Sequence, residues 1–493
     1  MSIKNDINKI LLKKFLHLEI SVVKYSEVQT DNESKRIDSE YFKQEYLENK
    51  KFICKNEYKT LEQLSTKITN GHTPYGENLS HNEIKFITAE FMEDFFIKEV
   101  KKFISYESHT NYLKRSILKN GDIIFSIKGK IGNAVPIFNI KEPLNINQDI
   151  ARISINRKEI NIFYLSAFLN SKFGKKQTEQ EATGQINPFI PLGTLKQIKI
   201  RIFPKEFQIE IEAMVKDSHK ALENSKKLYK EAEKILYEAL GLDAENPLES
   251  ILSFREKNKV IHNHLKGYKR LNISIRTYKE SYLKTGRLDA EYYQEKFRKN
   301  EILIKNFSHA KLSDLVNIQK SIEPGSEAYQ DDGIEFIRVA NLGKFELSKS
   351  YIYLDKIKFI NELERLYPQK DMILLTKDGS IGIAYCVPEN LNCITSAAIL
   401  HLKIKDKNII LPQVLTLIIN SIIGQLQAQR DSGGAIISHW TISEIENILI
   451  PLLDLKTQRK IEAKVKQSFE LRDKSKELLE NAKVKIENAI IDS

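Results

Sequence analysis

The chain of 493 residues is written twice. RIDSEYF at 36–42 returns as RLDAEYY at 287–293, and IKFITAEFM at 84–92 returns as IEFIRVANL at 334–342. GDIIFSIKGKIG at 121–132 is matched by KDMILLTKDGSIG at 370–382, with Ile131-Gly132 over Ile381-Gly382. FLNSKFG at 168–174 is matched by IINSIIG at 418–424, and FQIEIEAMV at 207–215 by TQRKIEAKV at 457–465. One offset of about 250 residues, held within about three positions, marks a tandem duplication. Whatever this chain folds into, it does so as two copies of one unit.

Each copy has the same internal order. Short β-like runs punctuated by Gly and Pro come first, such as Gly121–Ile127 and Lys196–Ile202. Long polar stretches without Gly or Pro follow at 205–240 and 455–490, and these predict helices. Ile211, Val215, Leu222, Tyr229 and Leu236 keep a heptad with the small residues Ser218, Ser225, Ala232 and Ala239. Ile461, Val465, Leu479 and Ile486 keep the same register with Ser468, Ser475, Ala482 and Ala489. A sustained period of 3.5 predicts a coiled-coil seam, and its small residues let two backbones approach closely. The natural partner of each helix is the other, packed antiparallel. Arg472 interrupts the apolar register, and its head is expected to reach out to solvent.

The predicted class is α+β: two tandem globular domains, each followed by a long α-helix, with the helices forming an antiparallel coiled coil of pseudo-twofold symmetry. The expected segments are an N-terminal extension (1–35), a first globular domain (36–204), a first spacer helix (205–242) and a basic linker (243–286). A second globular domain (287–453) and a second spacer helix (454–493) complete the chain.

A net charge of +11 favours a polyanionic partner, most often nucleic acid. Residues 250–286 carry nine Lys or Arg against two acids, an excess of +7. Three cysteines (Cys54, Cys386, Cys393) without a CxxC spacing argue against a disulfide framework or a metal site, so no metal is expected. The uncharged stretch 408–429 contains Pro412, Asn420 and Ser421 and is better read as a buried helix than a membrane span. The N-terminus has no apolar core of signal-peptide type. A cytoplasmic protein is expected.

Catalytic motifs are weak. Asn187-Pro188-Phe189 resembles the Asn-Pro-Pro-aromatic loop that holds a flipped base in amino-methyltransferases. It is one Pro short, and the second copy replaces it with Ile437-Ser438-His439 while the surrounding scaffold persists. No convincing Gly-rich cofactor loop, no GxxxxGK[ST] and no Pro-Asp opening of a nuclease motif occur. His401 and His439 stand apart from any obvious acid or nucleophile. The chain is expected to catalyse nothing.

Between matching scaffold segments, TNGHTPYGENLSHN (69–82) becomes QKSIEPGSEAYQDD (319–332). Loops that vary on a constant frame are where specificity sits. A helix of 36 residues spans roughly 54 Å, on the order of one and a half turns of B-DNA, so two such domains can face one side of a duplex. Together, the duplication, ITNGHTP followed by IKFITAEFM, the two glycine turns, and GQINPFIPLGTLKQIKIRIFPKEFQIEI with its second form GGAIISHWTISEIENILIPLLDLKTQRKI resemble the specificity subunit of type I restriction–modification systems. Lys370 in place of Gly121 departs from the family pattern and loosens a turn.

The resemblance implies two target-recognition domains, two spacer helices and a split double-stranded DNA target with an unspecified gap. It also implies assembly with two methyltransferase subunits and then restriction/motor subunits. S-adenosylmethionine and ATP are expected only on those partners, and no membrane is involved. The contact candidates His72, Thr73 and Tyr75, and Glu323, Ser326 and Tyr329, lie in the divergent loops. Lys128, Lys130 and Lys377 sit on turns that suit phosphates. Gln185, Asn187, Ser438 and His439 occupy matched positions suited to base edges. Lys266, Lys269 and Arg270 in the basic linker are candidates to grip the backbone over the gap. Two rivals stand beside this reading: a specificity subunit with a fused methyltransferase–nuclease partner, and a coiled-coil scaffold that binds no DNA.

Overall fold

The computed structural model describes residues 7, 10–11, 13–16, 18, 20–29, 32, 34–74, 83–184, 186–254, 275–359, 365–432 and 439–493. These divide into two compact units: Met1–Leu222 with Asp473–Ser493, and Glu223–Arg472.

In the first unit the strands are β1 (Tyr58–Thr60), β2 (Ser65–Asn70), β3 (Ile84–Ile87), β4 (Phe103–Ile104), β5 (Asp122–Ser126), β6 (Ala134–Pro136), β7 (Leu144–Ile146), β8 (Ile150–Ile155) and β9 (Lys199–Arg201). They form an antiparallel sheet of order β2-β8-β5-β6, a sheet of order β4-β3-β7, and a β1-β9 ribbon. The run DIIFS of β5 is buried throughout because both faces are covered. Ile123 and Phe125 enter a core with Ile153, Phe168 and the helix Ile162–Asn170. Ile124 enters another with Ile87, Val135, Ile146 and Ile150. A strand covered on both sides reads as a continuous apolar run rather than an alternation.

The second unit repeats the plan with β10 (His309–Lys311), β11 (Val316–Lys320), β12 (Tyr329–Gln330), β13 (Ile334–Ile337), β14 (Tyr353–Leu354), β15 (Ile373–Thr376), β16 (Ala384–Cys386), β17 (Cys393–Thr395), β18 (Ile399–Ile404) and β19 (Leu449–Pro451). Its sheets run β11-β18-β15-β16, β12-β14-β13-β17 and β10-β19. Only β12, in the divergent loop, has no counterpart strand among the described residues of the first unit.

The repeated motifs have structural causes. Arg36 makes a forked pair with Asp38 at 2.7 and 2.8 Å and donates to the carbonyls of Gln180 and Ala182. Arg287 pairs with Asp289 at 2.8 Å in the same way and reaches the carbonyl of Asp431. These residues of RIDSEYF and RLDAEYY therefore tie the start of each copy to the end of a helix. In FLNSKFG, Asn170 accepts from the Ala134 N–H at 3.0 Å and donates to its carbonyl at 2.7 Å, extending the sheet beyond β6. Asn420 does the same to Ala384 at 3.0 and 2.7 Å. A Cβ on Gly174 would lie 2.4 Å from the Phe168 carbonyl oxygen, and one on Gly424 equally close to that of Ile419. Only glycine lets the chain fold back so tightly.

That corner corrects the reading of 408–429 as one buried helix. It is two, Pro412–Asn420 and Ile422–Asp431, parted at Ser421, whose hydroxyl bonds back to the Ile418 carbonyl. No helix among the described residues is long and apolar enough to cross a membrane.

Gly121 N–H bonds the Ile137 carbonyl at 2.7 Å, and Asp371 N–H bonds that of Val387 at 2.9 Å. Both residues have positive φ, +99° and +66°. Asp371, not Lys370, thus stands where Gly121 does, and Met372 stands over Asp122. Asp122 is buried and accepts from Arg152 Nε at 2.8 Å, the Ser154 hydroxyl at 2.7 Å and the Lys119 N–H at 2.7 Å. The second unit has Met372 and His401 at the corresponding places, both buried.

The long helices are Lys205–Ala239 and Leu455–Asp492. Within the first unit Ile211 and Val215 share a core with Leu479, Ala482, Ile486 and Ile490. Ser218 and Ser475 hydroxyls meet at 2.8 Å, and Glu210 pairs with Lys485, so these segments run antiparallel. Within the second, Tyr229, Ala232 and Leu236 share a core with Ile461 and Val465. Ser225 and Ser468 meet at 3.0 Å, and Glu231 pairs with Lys464. Leu222 is half-buried. Arg472 does not reach out to solvent. Its guanidinium lies 3.8 Å from the centre of the Phe345 ring, beside Tyr229, and its Nε is buried without a described partner. The aromatic wall supplies a cation–π contact that takes the place of water.

Candidate functional site

One end of the four-stranded sheet gathers loops from distant parts of the chain. In the first unit these follow β2, follow β5 and precede β8, and a fourth loop at 183–189 joins them. Gly71 N–H bonds the Ile150 carbonyl, and a Cβ on Gly71 would lie 1.9 Å from the Ile146 carbonyl oxygen. The glycine of ITNGHTP therefore lets the β2 loop press against the approach to β8. Thr73 donates to the Gln148 side chain at 2.5 Å. Ile127 N–H bonds the Asp149 carbonyl at 2.9 Å. Gly129 and Ile190 donate to the carbonyls of Pro188 and Ile127 at 3.0 and 2.9 Å, and Thr183 and Phe189 exchange backbone bonds that close the fourth loop.

His72, Lys128, Lys130 and Asn187 all lie exposed on this cluster. The fold thus brings together residues more than 100 positions apart. Exposed ammonium groups suit phosphate oxygens, and the Asn187 amide both donates and accepts.

The second unit builds the same end from β11, β15 and β18. Ser321 donates to the Thr395 carbonyl at 2.5 Å, Lys377 N–H bonds the Ala398 carbonyl, and Trp440 N–H bonds the Lys377 carbonyl. Lys128 bridges to Phe189 in the first unit, and Asp378 bridges to His439 in the second. Asp378 therefore occupies the place of Lys128, and Lys377 that of Ile127. Lys377 is half-buried and ion-paired with Asp378. His439 Nδ1 lies 2.8 Å from the other oxygen of Asp378. Burial opposes the charge on that carboxyl, but the hydrogen bonds from Lys377 and His439 outweigh it and hold the group below the usual carboxylate range.

Glu323 and Ser326 are exposed in the divergent loop, whereas Tyr329 is half-buried, its ring 5.7 Å from that of Phe336. His401 belongs to the core, bonded to Thr395 at 2.8 Å. Tyr75, Gln185, Ser438, Lys266, Lys269 and Arg270 lie outside the described residues.

Sequence reasoning missed Gln148 and Asp378. The Ile131-Gly132/Ile381-Gly382 anchor, carried back three residues, sets Asp378 over Lys128 and was the available signal. Gln148 had a weaker one, in the NINQD that precedes β8 where the second copy has ITSAA.

A model of the type I restriction modification DNA specificity domain matches residues 53–234 and again 304–484. This chain belongs to that family. Each specificity-domain match takes in the globular part of one copy and most of its long helix, the same repeat that the sequence displays. Over 215 residues the chain is 26% identical to the type I restriction enzyme EcoBI specificity subunit of Escherichia coli. That alignment covers 41% of this chain and 45% of the relative, so the chain matches about half the relative's length. Among solved structures, the S subunit of a type I restriction–modification system from M. genitalium aligns over 88% of this chain and 94% of its own at 13% identity, with a TM-score of 0.39. The HsdS subunit from Thermoanaerobacter tengcongensis aligns over 86% of this chain and 96% of its own at 14% identity, with a TM-score of 0.27.

Proposed function

We propose that this specificity-domain chain reads double-stranded DNA for a type I restriction–modification system, one half of a split target per unit, and performs no chemistry itself. One observation carries the reading. Both units present the same loop cluster at the same end of the same sheet, with different chemistry at matched points: Lys128 and Phe189 in one, Asp378 and His439 in the other. A constant frame with exchanged side chains suits two half-sites of different sequence.

In this proposal the long helices form one antiparallel coiled coil with pseudo-twofold symmetry, and the paired serines and antiparallel segments within each unit support it. Two methyltransferase subunits and the restriction/motor subunits do the chemistry, holding S-adenosylmethionine and ATP. The segments 36–204 and 287–453 serve as the two recognition domains, and Lys266, Lys269 and Arg270 meet the backbone over the gap.

Methylation mapping tests this. Exchanging 46–204 for the equivalent stretch of a relative should change one half of the methylated sequence and leave the other half and the gap length intact. A change in both halves at once, or methyl transfer by the purified single chain, would overturn it.

A further inference from the structure

The turns 127–130 and 377–380 occupy one place in two copies of one scaffold, yet differ in sign. In the second unit Asp378 is clamped between Lys377 Nζ on one oxygen and His439 Nδ1, 2.8 Å away, on the other. The hydrogen bonds from these two partners favour its charged form. An ionised carboxylate has no proton to donate, so Nδ1 must carry the proton in that contact. In a neutral imidazole this leaves Nε2 bare, as an acceptor. The His439 side chain is 62% exposed, and its Nε2 has no hydrogen-bond partner among the described residues. The ring is held outward from a firm base, because the neighbouring Trp440 is buried and its backbone N–H is bonded to the Lys377 carbonyl.

We infer that His439 is a base-reading residue of the second half-site, set by Asp378 to accept a hydrogen bond from the exocyclic amino group of a base. The inference rests on the DNA-reading function proposed above and names the chemistry of one of its contacts. In the major groove adenine N6 and cytosine N4 supply amino donors, whereas guanine O6 and thymine O4 present lone pairs. A bare Nε2 attracts the first two and repels the others. Asp378 is a positioning residue that acts through the ring. At the matched point of the first unit the ammonium of Lys128 only donates, which suits guanine O6 and N7 or a phosphate. His439 itself stands over Phe189, so the matched pair is a donor-only ammonium beside an aromatic ring in one copy and a carboxylate-set acceptor in the other.

The full chain, co-expressed with its methyltransferase partner, selects duplexes from a randomised pool. Wild type should favour adenine or cytosine over guanine or thymine at one position of one half-site, by roughly tenfold to a hundredfold. His439→Ala should flatten that position alone. Asp378→Asn should turn the preference toward guanine or thymine, because the Asn amide donates to Nδ1 and moves the ring proton to Nε2. Unchanged selection at the other half-site, with unchanged Trp440 fluorescence, shows that each variant is folded. The inference is overturned if His439→Ala leaves every position as it was, or if Asp378→Asn keeps the wild-type preference. A wild-type complex that selects no sequence at all removes the DNA-reading function itself, a distinct outcome that takes this contact with it.

Discussion

Single residues at matched positions show how one frame tolerates different interiors. The buried Asp122–Arg152 pair of the first unit is replaced by Met372 and His401 in the second. Removing one member of a buried pair strands the other, so Asp122→Ala should cost about 3–5 kcal/mol, measured by thermal unfolding. The double change to Met and His, the pair already accommodated in the other copy, should cost less. His401 makes the opposite kind of prediction. Burial holds its imidazole down to about 4. The unfolded imidazole titrates near 6.5, so between these values the unfolded chain binds the extra proton. Stability is therefore full above about pH 6.5 and declines as pH falls toward 4, by roughly 2–3 kcal/mol between pH 7 and 4.5. Trp440 is the only tryptophan and is buried in the second unit, so urea unfolding followed by its fluorescence reports this directly. His401→Leu should flatten the pH dependence; an equally steep profile in that variant would assign it to another group.

At the scale of elements, the seam depends on small residues. Ser225 and Ser468 are buried and 3.0 Å apart, which holds two backbones close. Ser225→Ala should cost about 1 kcal/mol through the lost hydrogen bond, whereas Ser225→Leu should cost more, about 1–3 kcal/mol of overpacking, read as a fall in melting temperature. Ser225→Leu at wild-type stability would show that the seam is loose there. Which elements were legible follows from the same physics. The long helices could be read because period and register are written in adjacent turns, and β5 because both its faces are covered. β2, with the run STKITN, has Ile68 as its one apolar residue, too little for an alternation, and is a strand because β8 lies beside it. The break at Ser421 was missed because it is made by a glycine packed on a carbonyl five residues back. The candidate site was half legible. Turn lysines announce themselves, but the joining of Asp378 to His439 spans 61 residues and exists only in the fold. Arg472 was misjudged because Phe345, its partner, comes from another element.

For the whole molecule, the proposed coiled coil of long helices, which would set the spacing of the two units on DNA, has a mechanical consequence. One heptad inserted into 205–240 lengthens that helix by about 10.5 Å and leaves the partner helix unchanged. The methylated target should then show an altered gap, or methylation should cease; an unchanged gap at full activity would mean that these helices do not set the spacing. The division of each long helix between the two units also bears on how the chain is made. Residues 473–493 complete the core around Ile211 and Val215. They leave the ribosome more than 250 residues after those partners. At usual rates of synthesis this delay is roughly ten to fifty seconds. Throughout it, the first half-seam of a nascent chain stands open, and the finished tail of a neighbour on the same messenger competes with its own for closure. Slow translation or dense polysomes should accordingly favour exchanged pairs, and any chaperone that shields this chain has its clearest task in that interval.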